Sequence, residues 1–373
     1  MSPTEAAPFD VDEARADLPS ARAYAFLNAG TFGPIPRAAA AAMRAHLDAS
    51  FERGRTRPDV GMRLIDDARR AFARALRAPE GEVALMHCAT DGVNAVLSGL
   101  DLSPGDEIVT STHEHPGLTA PLDELARARG VVVREAAPRP EALAAAMGAR
   151  TRLLAVSHVL WTTGEVLPIA ELAAEARARG ALVLVDGAQA AGAIDLDPAA
   201  LGADFYAASG QKWLCGPSGT GALWVRPSAL GRLRTPWPWY LSKSRGPAGV
   251  ADWPDARRLD ATTLSMTSLA GLAAALDWHA GMAARGALAH SARLARALRE
   301  RLAALPRVRI VPAEAPSTIV SFAVEGEPAA AVSQRLERAG VAVRSIPGLG
   351  YVRASVGFWN TEGDLDALAR ALG

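Results

Sequence analysis

The chain is 373 residues long, with 50% hydrophobic and 21% charged residues, which is typical of a globular protein with a large core and room for two domains. Forty basic residues balance forty acidic ones, so charge gives no reason to expect nucleic acid or an anionic membrane as a partner. The two cysteines, Cys88 and Cys215, exclude a secreted fold built on disulfides. Residues 1–20 lack the order of a signal peptide, and no run of about 18 apolar residues indicates a membrane span, so we expect a cytoplasmic protein.

The N-terminal part of the chain is predicted to hold an arm, a shaped loop and two helices. Residues 1–25 form the arm. Residues 27–36, LNAGTFGPIP, are dense in Gly and Pro, which predicts a loop of defined conformation. Amphipathic helices are expected over 37–53 and 59–77, and Pro58 marks the break between them.

The middle of the chain, up to about residue 226, alternates short β-branched runs with Ala- and Leu-rich helical stretches. Helices ending at Gly130, Gly148 and Gly180 are expected to have left-handed C-caps. Continuous apolar runs such as 181–185 predict strands buried on both faces, as in a parallel sheet between helix layers. The clearest strands are predicted at 107–110, 131–134, 153–157, 182–186, 205–208 and 221–225. Functional residues are expected at the carboxyl ends of such strands.

Residues 234–262 differ from what precedes them, since they carry several aromatic residues among Pro, Gly and Ser with little periodicity. The aromatic residues are Trp237, Trp239, Tyr240 and Trp253. A loop of this length in a compact enzyme is often a lid or an interface segment.

The C-terminal part is predicted to be a long helical stretch, 268–304, followed by a small α/β unit. Its strands are expected near 307–311, 317–323, 341–344 and 351–355, and its helices near 327–339 and 361–372. We therefore divide the chain into an arm (1–25), a large domain (26–255) and a small C-terminal domain (256–373).

Two predicted strands are followed by residues that suit cofactor chemistry. Asp186 ends an apolar strand, where alone it could cap a helix, hold magnesium or bind a ribose. Lys212 follows another strand, and the Gly-rich turn behind it, 216–221, lacks the Gly-Lys-Ser/Thr ending of a Walker loop. Most lysines are solvated surface charges, but one at a buried strand–loop junction can form a Schiff base. Together the two residues suit pyridoxal phosphate (PLP), whose aldehyde a lysine binds and whose pyridine nitrogen an acid keeps protonated.

On these residues, and on the ordered motifs around them, the chain resembles the class V aminotransferase family of fold-type I PLP enzymes. That family includes cysteine desulfurases, isopenicillin N epimerase-like proteins and kynureninase. The resemblance runs from about residue 27 to residue 360. It implies an α/β fold, in which a large domain has a mainly parallel sheet between helix layers and a small α/β domain follows. It also implies a homodimer with shared active sites.

The resemblance assigns roles around the cofactor. The catalytic residues it implies are Lys212, His115 and Asp186. The cofactor-binding residues it implies are Ala89, Thr90, His115, Asp186, Gln189, Ser209, Lys212 and Thr263. In this scheme Ala89 and Thr90 form the phosphate turn at a helix N-terminus, although Thr90 could be a simple N-cap. His115 stacks on the pyridine ring, unless it is a structural histidine.

Other roles concern the phenolic oxygen, the phosphate and the substrate. Gln189 donates to the phenolic oxygen, Ser209 reaches the phosphate, and Thr263 reaches the phosphate of the neighbouring subunit. For an amino-acid substrate the implied binding residues are Asn28, Trp161 and Arg353. A guanidinium fork suits a carboxylate, although the chain also carries many surface arginines.

Three departures separate this chain from desulfurases. The stretch 344–351 has no cysteine where desulfurases carry the sulfur acceptor, and neither Cys88 nor Cys215 stands in that place. Gln211 occupies the position before the lysine where His is usual, and unlike His it cannot titrate near neutral pH. Trp161 stands where desulfurases tend to place Asn. It could form a different wall of the pocket, or it could be an ordinary core residue.

These features favour β-elimination by a C–S lyase-like enzyme, in which the freed Lys212 removes the Cα proton. An aminotransferase or an amino-acid epimerase of the same family is the alternative. A non-catalytic sensor on the same fold is a more distant one, which the presence of Lys212 and Asp186 disfavours.

Overall fold

The computed structural model describes residues 9–55, 58–247 and 249–373. The helices, numbered in chain order, are α1 Val11–Ala16, α2 Pro19–Ala23, α3 Arg37–Arg53, α4 Pro58–Ala75, α5 Ala89–Gly99, α6 Pro116–Arg129, α7 Pro140–Ala146, α8 Ile169–Ala178, α9 Pro227–Leu230, α10 Met266–Ala284, α11 Ala287–Ala303, α12 Ala329–Arg338 and α13 Glu362–Leu372. The strands are β1 Ala25–Phe26, β2 Val83–Met86, β3 Glu107–Ser111, β4 Val132–Ala136, β5 Thr151–Ser157, β6 Leu182–Asp186, β7 Phe205–Ser209, β8 Gly221–Val225, β9 Lys243–Gly246, β10 Gly249–Asp252, β11 Val308–Ile310, β12 Ile319–Val324, β13 Val341–Ala342, β14 Arg344–Ile346 and β15 Tyr351–Ser355.

A mixed, mainly parallel sheet of seven strands forms the centre of the fold, in the order β2-β8-β7-β6-β5-β3-β4. Strand β8 runs antiparallel to both of its neighbours, and the other pairs are parallel. Strands β2, β3, β7 and β8 are buried along their whole length, and β2, β7 and β8 are mainly apolar, as burial on both faces requires. The α/β architecture predicted from the sequence is therefore confirmed.

The register of this sheet brings the carboxyl ends of four strands, β2, β5, β6 and β7, to one edge. Ser157 of β5 pairs with Asp186 of β6, and Ser209 of β7 and Met86 of β2 both lie opposite Gly221 of β8. Since β2, β6 and β7 point in the same direction, the residues after them leave the sheet at the same side. This edge carries the candidate site.

Several local predictions need correction. Gly130 and Gly180 adopt the expected left-handed conformation, but Gly148 does not, because α7 already ends at Ala146 with Met147 as its C-cap. The helix predicted over 59–77 stops at Ala75, and Arg77 turns into the left-handed region with φ 51°.

The C-terminal predictions are also refined. The helical stretch predicted over 268–304 is two helices, since Gly286 breaks it with φ 94°. The strand predicted at 341–344 is divided between β13 and β14. The segment 234–262 contains the antiparallel hairpin β9–β10, in which Lys243 lies opposite Asp252.

A second sheet, in the order β11-β12-β15-β14, lies in the C-terminal part and packs with α11, α12 and α13 around its own apolar core. The N-terminal β1 pairs in parallel with β13, and Ala25 and Leu27 belong to this second core. Residues of α10 such as Leu269 and Leu272 instead belong to the core of the large sheet. The division of the chain at residues 255 and 256 stays a prediction.

The loop predicted over 27–36 connects the two sheets. Asn28 forms an isolated parallel bridge with Ser355 at the end of β15. Farther along the loop, the N–H of Gly33 donates to the carbonyl of Gln211 at 2.8 Å, and a Cβ at residue 33 would lie 2.0 Å from the Lys212 carbonyl oxygen. Only glycine allows so close an approach, so this loop is held directly against the lysine turn. Among the described helices none has the length and apolar character needed to cross a membrane.

Candidate active site

Lys212 lies in the tight turn that follows β7, with its side chain half-buried at the sheet edge. Loss of solvation lowers the pKa of its amine to about 8, although the nearby charge of Asp186 acts in the opposite direction. No hydrogen bond from Nζ occurs within the described residues. The amine is therefore accessible in its neutral, nucleophilic form near neutral pH.

Asp186 ends β6 on the strand next to the one that leads to Lys212. Its side chain is only 7% exposed, and Oδ1 accepts the N–H of Ala188 at 2.9 Å. Burial raises the pKa of this carboxyl, while the charge of Lys212 and the N–H of Ala188 lower it. The second oxygen stays available for a cationic partner, which a protonated ring nitrogen would provide.

The start of α5 and the end of β7 form a small polar cup. The N–H of Ala89, the first residue of α5, donates to the Ser209 hydroxyl at 3.1 Å. Thr90 follows it, and a Cβ at Gly117 would lie 2.4 Å from the Thr90 hydroxyl oxygen, so glycine is needed there. A helix N-terminus with two hydroxyl groups is a suitable phosphate site.

His115 stands at the N-cap of α6, where the N–H of Gly117 donates to its Nδ1 at 2.9 Å. Because Nδ1 accepts a hydrogen bond, the neutral ring carries its proton on Nε2. Burial, followed by the charges of Lys212, Arg344 and Arg353, lowers the pKa of His115 to about 4. The imidazole is thus neutral at physiological pH.

Gln189 uses both ends of its amide within the protein. Its Nε2 donates to the carbonyl of Gly30 at 2.9 Å, and its Oε1 accepts the indole N–H of Trp213 at 3.0 Å. The side chain is 5% exposed and sits between the N-terminal loop and the lysine turn. The second hydrogen of Nε2 has no partner among the described residues and would be available to the phenolic oxygen of the cofactor.

Two arginines from the small sheet converge on the other side of the site. Arg353 is 1% exposed, and Arg344 lies opposite it on the neighbouring strand. Arg353 donates to the carbonyl of Trp161 at 3.2 Å and to the Thr31 hydroxyl at 3.1 Å, and Arg344 donates to the same hydroxyl at 3.3 Å. Within the described part of the chain, neither guanidinium is paired with a carboxylate, which leaves both available to an anionic ligand.

Glu114 lies beneath the site and connects two strand ends. It accepts hydrogen bonds from the Ser111 hydroxyl and from the N–H of Ser157, the residue that pairs with Asp186. Burial raises the pKa of Glu114 to about 7. This carboxyl therefore anchors the loop that presents His115.

Comparison with known proteins also indicates a PLP-dependent enzyme. The model of the family "Aminotransferase class-V" matches residues 26–368. The chain belongs to the class V aminotransferase family. It is 33% identical to isopenicillin N epimerase of Streptomyces clavuligerus over 97% of this chain and 98% of the relative. It is 32% identical to a probable cysteine desulfurase of Pseudomonas aeruginosa over 96% of each chain. The solved structure of the cystine C–S lyase C-DES with its product cysteine persulfide superposes with a TM-score of 0.90, at 30% identity, over 95% of this chain and 99% of that one.

Membership of the class V aminotransferases makes this a PLP-dependent enzyme with the fold-type I architecture, as the sequence predicts. The residues fit the cofactor. Asp186 keeps one oxygen free, Lys212 has an unengaged amine, and the buried Oε1 of Gln211 and indole N–H of Trp161 have no partner among the described residues. Unsatisfied buried polar atoms are costly unless a ligand satisfies them.

Thr263, which the resemblance assigns to the cofactor phosphate, lies apart from the other predicted cofactor residues of this class V aminotransferase-family enzyme. It is exposed and borders a cleft of about 650 Å³ formed by α3, α4 and the start of α10. Its φ of 47° lies in the left-handed region, which is rare for a β-branched residue. A buried ion pair between Arg69 and Asp260, 2.7 Å apart, anchors the backbone just before it.

Sequence reasoning did not find Arg344 or Thr31. A signal was nevertheless present, since Arg344 ends the strand predicted at 341–344 and Thr31 lies in the Gly/Pro loop with Asn28. Only the fold brings the two side chains together.

Proposed function

We propose that this class V aminotransferase-family enzyme is a C–S lyase-like β-eliminase that acts on an amino acid with sulfur at Cβ. The observation that carries the proposal is that Lys212, Asp186 and the phosphate cup coexist with a segment 344–351 that has no cysteine where desulfurases carry the sulfur acceptor. The likeness to the cystine C–S lyase supports it.

Both cysteines lie outside segment 344–351, where desulfurases carry the sulfur acceptor. Cys215 is fully buried, and burial raises the pKa of its thiol far above the ordinary range. Cys88 is the N-cap of α5, beside Ala89 at the phosphate cup. The segment 344–351, on the substrate side, carries no cysteine. Sulfur removed from the substrate would therefore leave as a free product.

Lys212 would take the proton from Cα. PLP bound at this lysine supplies an electron sink for the electron pair that remains at Cα. With a pKa of about 8, the released amine of Lys212 is neutral in a useful fraction of molecules near neutral pH and can accept a proton. The Cβ–S bond then breaks and sulfur departs with the bonding electrons as a thiol. One water molecule then hydrolyses the enamine that remains, which gives a keto acid and ammonia.

The remaining residues of the site would bind and orient the cofactor and the substrate. Arg353 and Arg344 hold the substrate carboxylate, Asp186 holds the cofactor nitrogen, and Trp161 walls the pocket. The neutral ring of His115 covers the face of the cofactor and excludes water from it. Asn28 positions the loop that closes the carboxylate side, through its bridge to Ser355.

An epimerase is the second candidate, because relatives at 33% and 34% identity carry that name. Epimerisation by a two-residue route needs one group that removes the Cα proton and a second group that returns a proton on the opposite face. Lys212 can serve one face, but His115, with a pKa of about 4, is a weak donor and a weak base at neutral pH. The site therefore favours elimination over epimerisation.

We also propose a homodimer in the cytoplasm, with Thr263 reaching the phosphate of the neighbouring subunit. Thr263 borders a cleft beside an outward face of α3, on which Leu47 is 56% and Phe51 is 89% exposed. Exposed apolar groups at this density are typical of an interface. The cytoplasmic location stays a prediction from the sequence.

The test uses purified, PLP-loaded enzyme, L-amino acids and L-cysteine conjugates, with no keto-acid acceptor present. The absorbance band of the lysine-bound cofactor and the released keto acid are followed together, and the recovered substrate is analysed on a chiral column. Continued release of keto acid and thiol with recovery of the band is expected. One stoichiometric burst would instead indicate an aminotransferase, and inverted substrate without keto acid would indicate an epimerase.

A further inference from the structure

The hydroxyl group of Thr31 lies at the centre of the substrate side of the site. It accepts hydrogen bonds from Nη2 of Arg353 at 3.1 Å and from Nη1 of Arg344 at 3.3 Å. It donates its own hydrogen to Oδ1 of Asn28 at 2.7 Å. A hydroxyl has one donor and two acceptor positions, so its capacity is fully used by these three residues.

The position of this hydroxyl is fixed by the backbone around it. Asn28 and Thr31 are the ends of a turn, in which the N–H of Thr31 donates to the carbonyl of Asn28 at 3.0 Å. The turn is also held against β15, since the N–H of Ser355 donates to the carbonyl of Leu27 at 2.7 Å. The Thr31 oxygen is therefore a rigid acceptor, and the arginines adjust to it.

Few other groups hold the two guanidiniums in place. Arg353 has one further hydrogen bond, to the carbonyl of Trp161, and its Nε has no partner among the described residues. Arg344 forms no other side-chain hydrogen bond in the part of the chain that the structure describes. Two neighbouring positive charges repel each other, so without a shared acceptor the side chains would move apart.

We propose that Thr31 is the positioning residue that sets the geometry of the Arg344–Arg353 pair for the carboxylate of the substrate. This assignment rests on the proposed function, because it takes an amino acid as the ligand. Loss of the Thr31 hydroxyl should weaken the binding of carboxylate ligands while the chemistry at Lys212, on the other side of the pocket, is unchanged.

The test compares Thr31→Val, which has the same shape without the hydroxyl, with Thr31→Ser, which keeps the hydroxyl. Both are made in the PLP-loaded enzyme, and L-alanine and L-alaninamide are titrated against the cofactor absorbance band. Neither probe has a leaving group at Cβ, so neither can undergo β-elimination during the titration. The two probes differ only in the carboxylate.

In the Thr31→Val variant we expect the apparent Kd for L-alanine to rise about tenfold, since hydrogen bonds to charged groups are among the stronger ones in proteins. The Kd for L-alaninamide should stay within about twofold of wild type, and the Thr31→Ser variant should bind both probes like wild type. In turnover, KM should rise in the Val variant with kcat nearly unchanged.

Two results would overturn the assignment. If the Val variant binds L-alanine like wild type, Thr31 does not position the arginines. If the Val variant loses affinity equally for both probes, the hydroxyl has only a general structural role. A wild-type enzyme whose absorbance band responds to no amino acid would instead overturn the proposed function, and this assignment with it.

Discussion

The rings of His115 and Trp161 meet edge to face, with centroids 4.9 Å apart and planes at 79°. The backbone carbonyl of Trp161 accepts a hydrogen bond from Arg353. Trp161 therefore contacts both His115, the residue predicted to stack on the cofactor, and Arg353, the residue predicted to bind the substrate. This double contact supports our proposal that Trp161 is a pocket wall. Its indole N–H is buried and has no partner in the described residues.

Replacing Trp161 tests that position. Trp161→Ala should lower kcat/KM at least about tenfold and destabilise the fold by about 3–5 kcal/mol, because a buried indole is removed. Trp161→Phe keeps the aromatic contact and should cost less than about threefold in kcat/KM. Steady-state kinetics and urea denaturation measure the two effects. Equal losses of activity in both variants would show that the indole N–H, and not the ring contact, is what the reaction needs.

Glu114 should make the folded state less stable as the pH rises from about 4.5 to about 7. Burial raises its pKa from 4.5 to about 7, so the folded protein holds this proton more tightly than the unfolded chain. The associated stability is fully present below about pH 4.5 and is lost as pH rises through about 7. At about 1.4 kcal/mol per pKa unit, the effect is up to about 3 kcal/mol. The side chain in Glu114→Gln does not ionise, so this variant lacks this contribution to the pH dependence of stability.

Urea denaturation at pH 5 and pH 8.5 measures this difference. Between pH 5 and pH 8.5 the free energy of unfolding should fall more in the wild type than in Glu114→Gln. The exposed Glu171 gives a matched control, since Glu171→Gln should follow wild type. A Glu114→Gln variant with the wild-type pH dependence would show that another group is responsible.

Asp186 should matter for turnover more than for attachment of the cofactor. Asp186→Asn keeps the side-chain shape and the hydrogen bond from Ala188, but it removes the negative charge opposite the ring nitrogen. We expect the covalent band at Lys212 to persist while kcat falls about 100-fold or more, because the protonated ring is what draws electrons from Cα. Visible absorbance and single-turnover rates measure both. Full activity of the Asn variant would exclude Asp186 from this role.

Thr263 offers a test of the shared site by complementation. A heterodimer of a Lys212→Ala chain and a Thr263→Ala chain contains one complete site if Thr263 acts across subunits, and none if it acts within its own chain. Co-expression with two different affinity tags isolates the heterodimer. We expect its activity per complete site to match wild type, well above that of either variant alone. Activity no higher than that of the Thr263→Ala homodimer would place Thr263 in its own subunit's site.

Much of the sheet could be predicted because its strands are short, apolar and separated by clear helical segments. Lys212 and Asp186 could be located for the same reason, since each directly follows such a strand. Strand β2, Val83–Met86, was missed because its four residues run directly into the start of α5 without a turn signal. The break at Gly286 was missed because the Ala-rich pattern continues on both sides of it.

The substrate side could be predicted only in part. Arg353 and Asn28 were recognised through motif context, but the contact of Arg344 with Thr31 joins residues 313 positions apart. No local pattern encodes such a contact, because it depends on how the N-terminal loop packs against the small sheet. The role that we propose for Thr263 likewise requires a second subunit.

The most direct test of the central claim is to locate the cofactor covalently. The sequence contains only two lysines, Lys212 and Lys243, and Lys243 lies in the β9–β10 hairpin, paired with Asp252 at 2.5 Å. PLP-loaded enzyme is reduced with borohydride, digested with a protease that does not require lysine, and analysed by peptide mass spectrometry. We predict that the reduced cofactor is found on the peptide that contains Lys212, and that the Lys243→Arg variant is labelled to the same extent. A label on Lys243, or no label on either lysine, would contradict the assignment of Lys212.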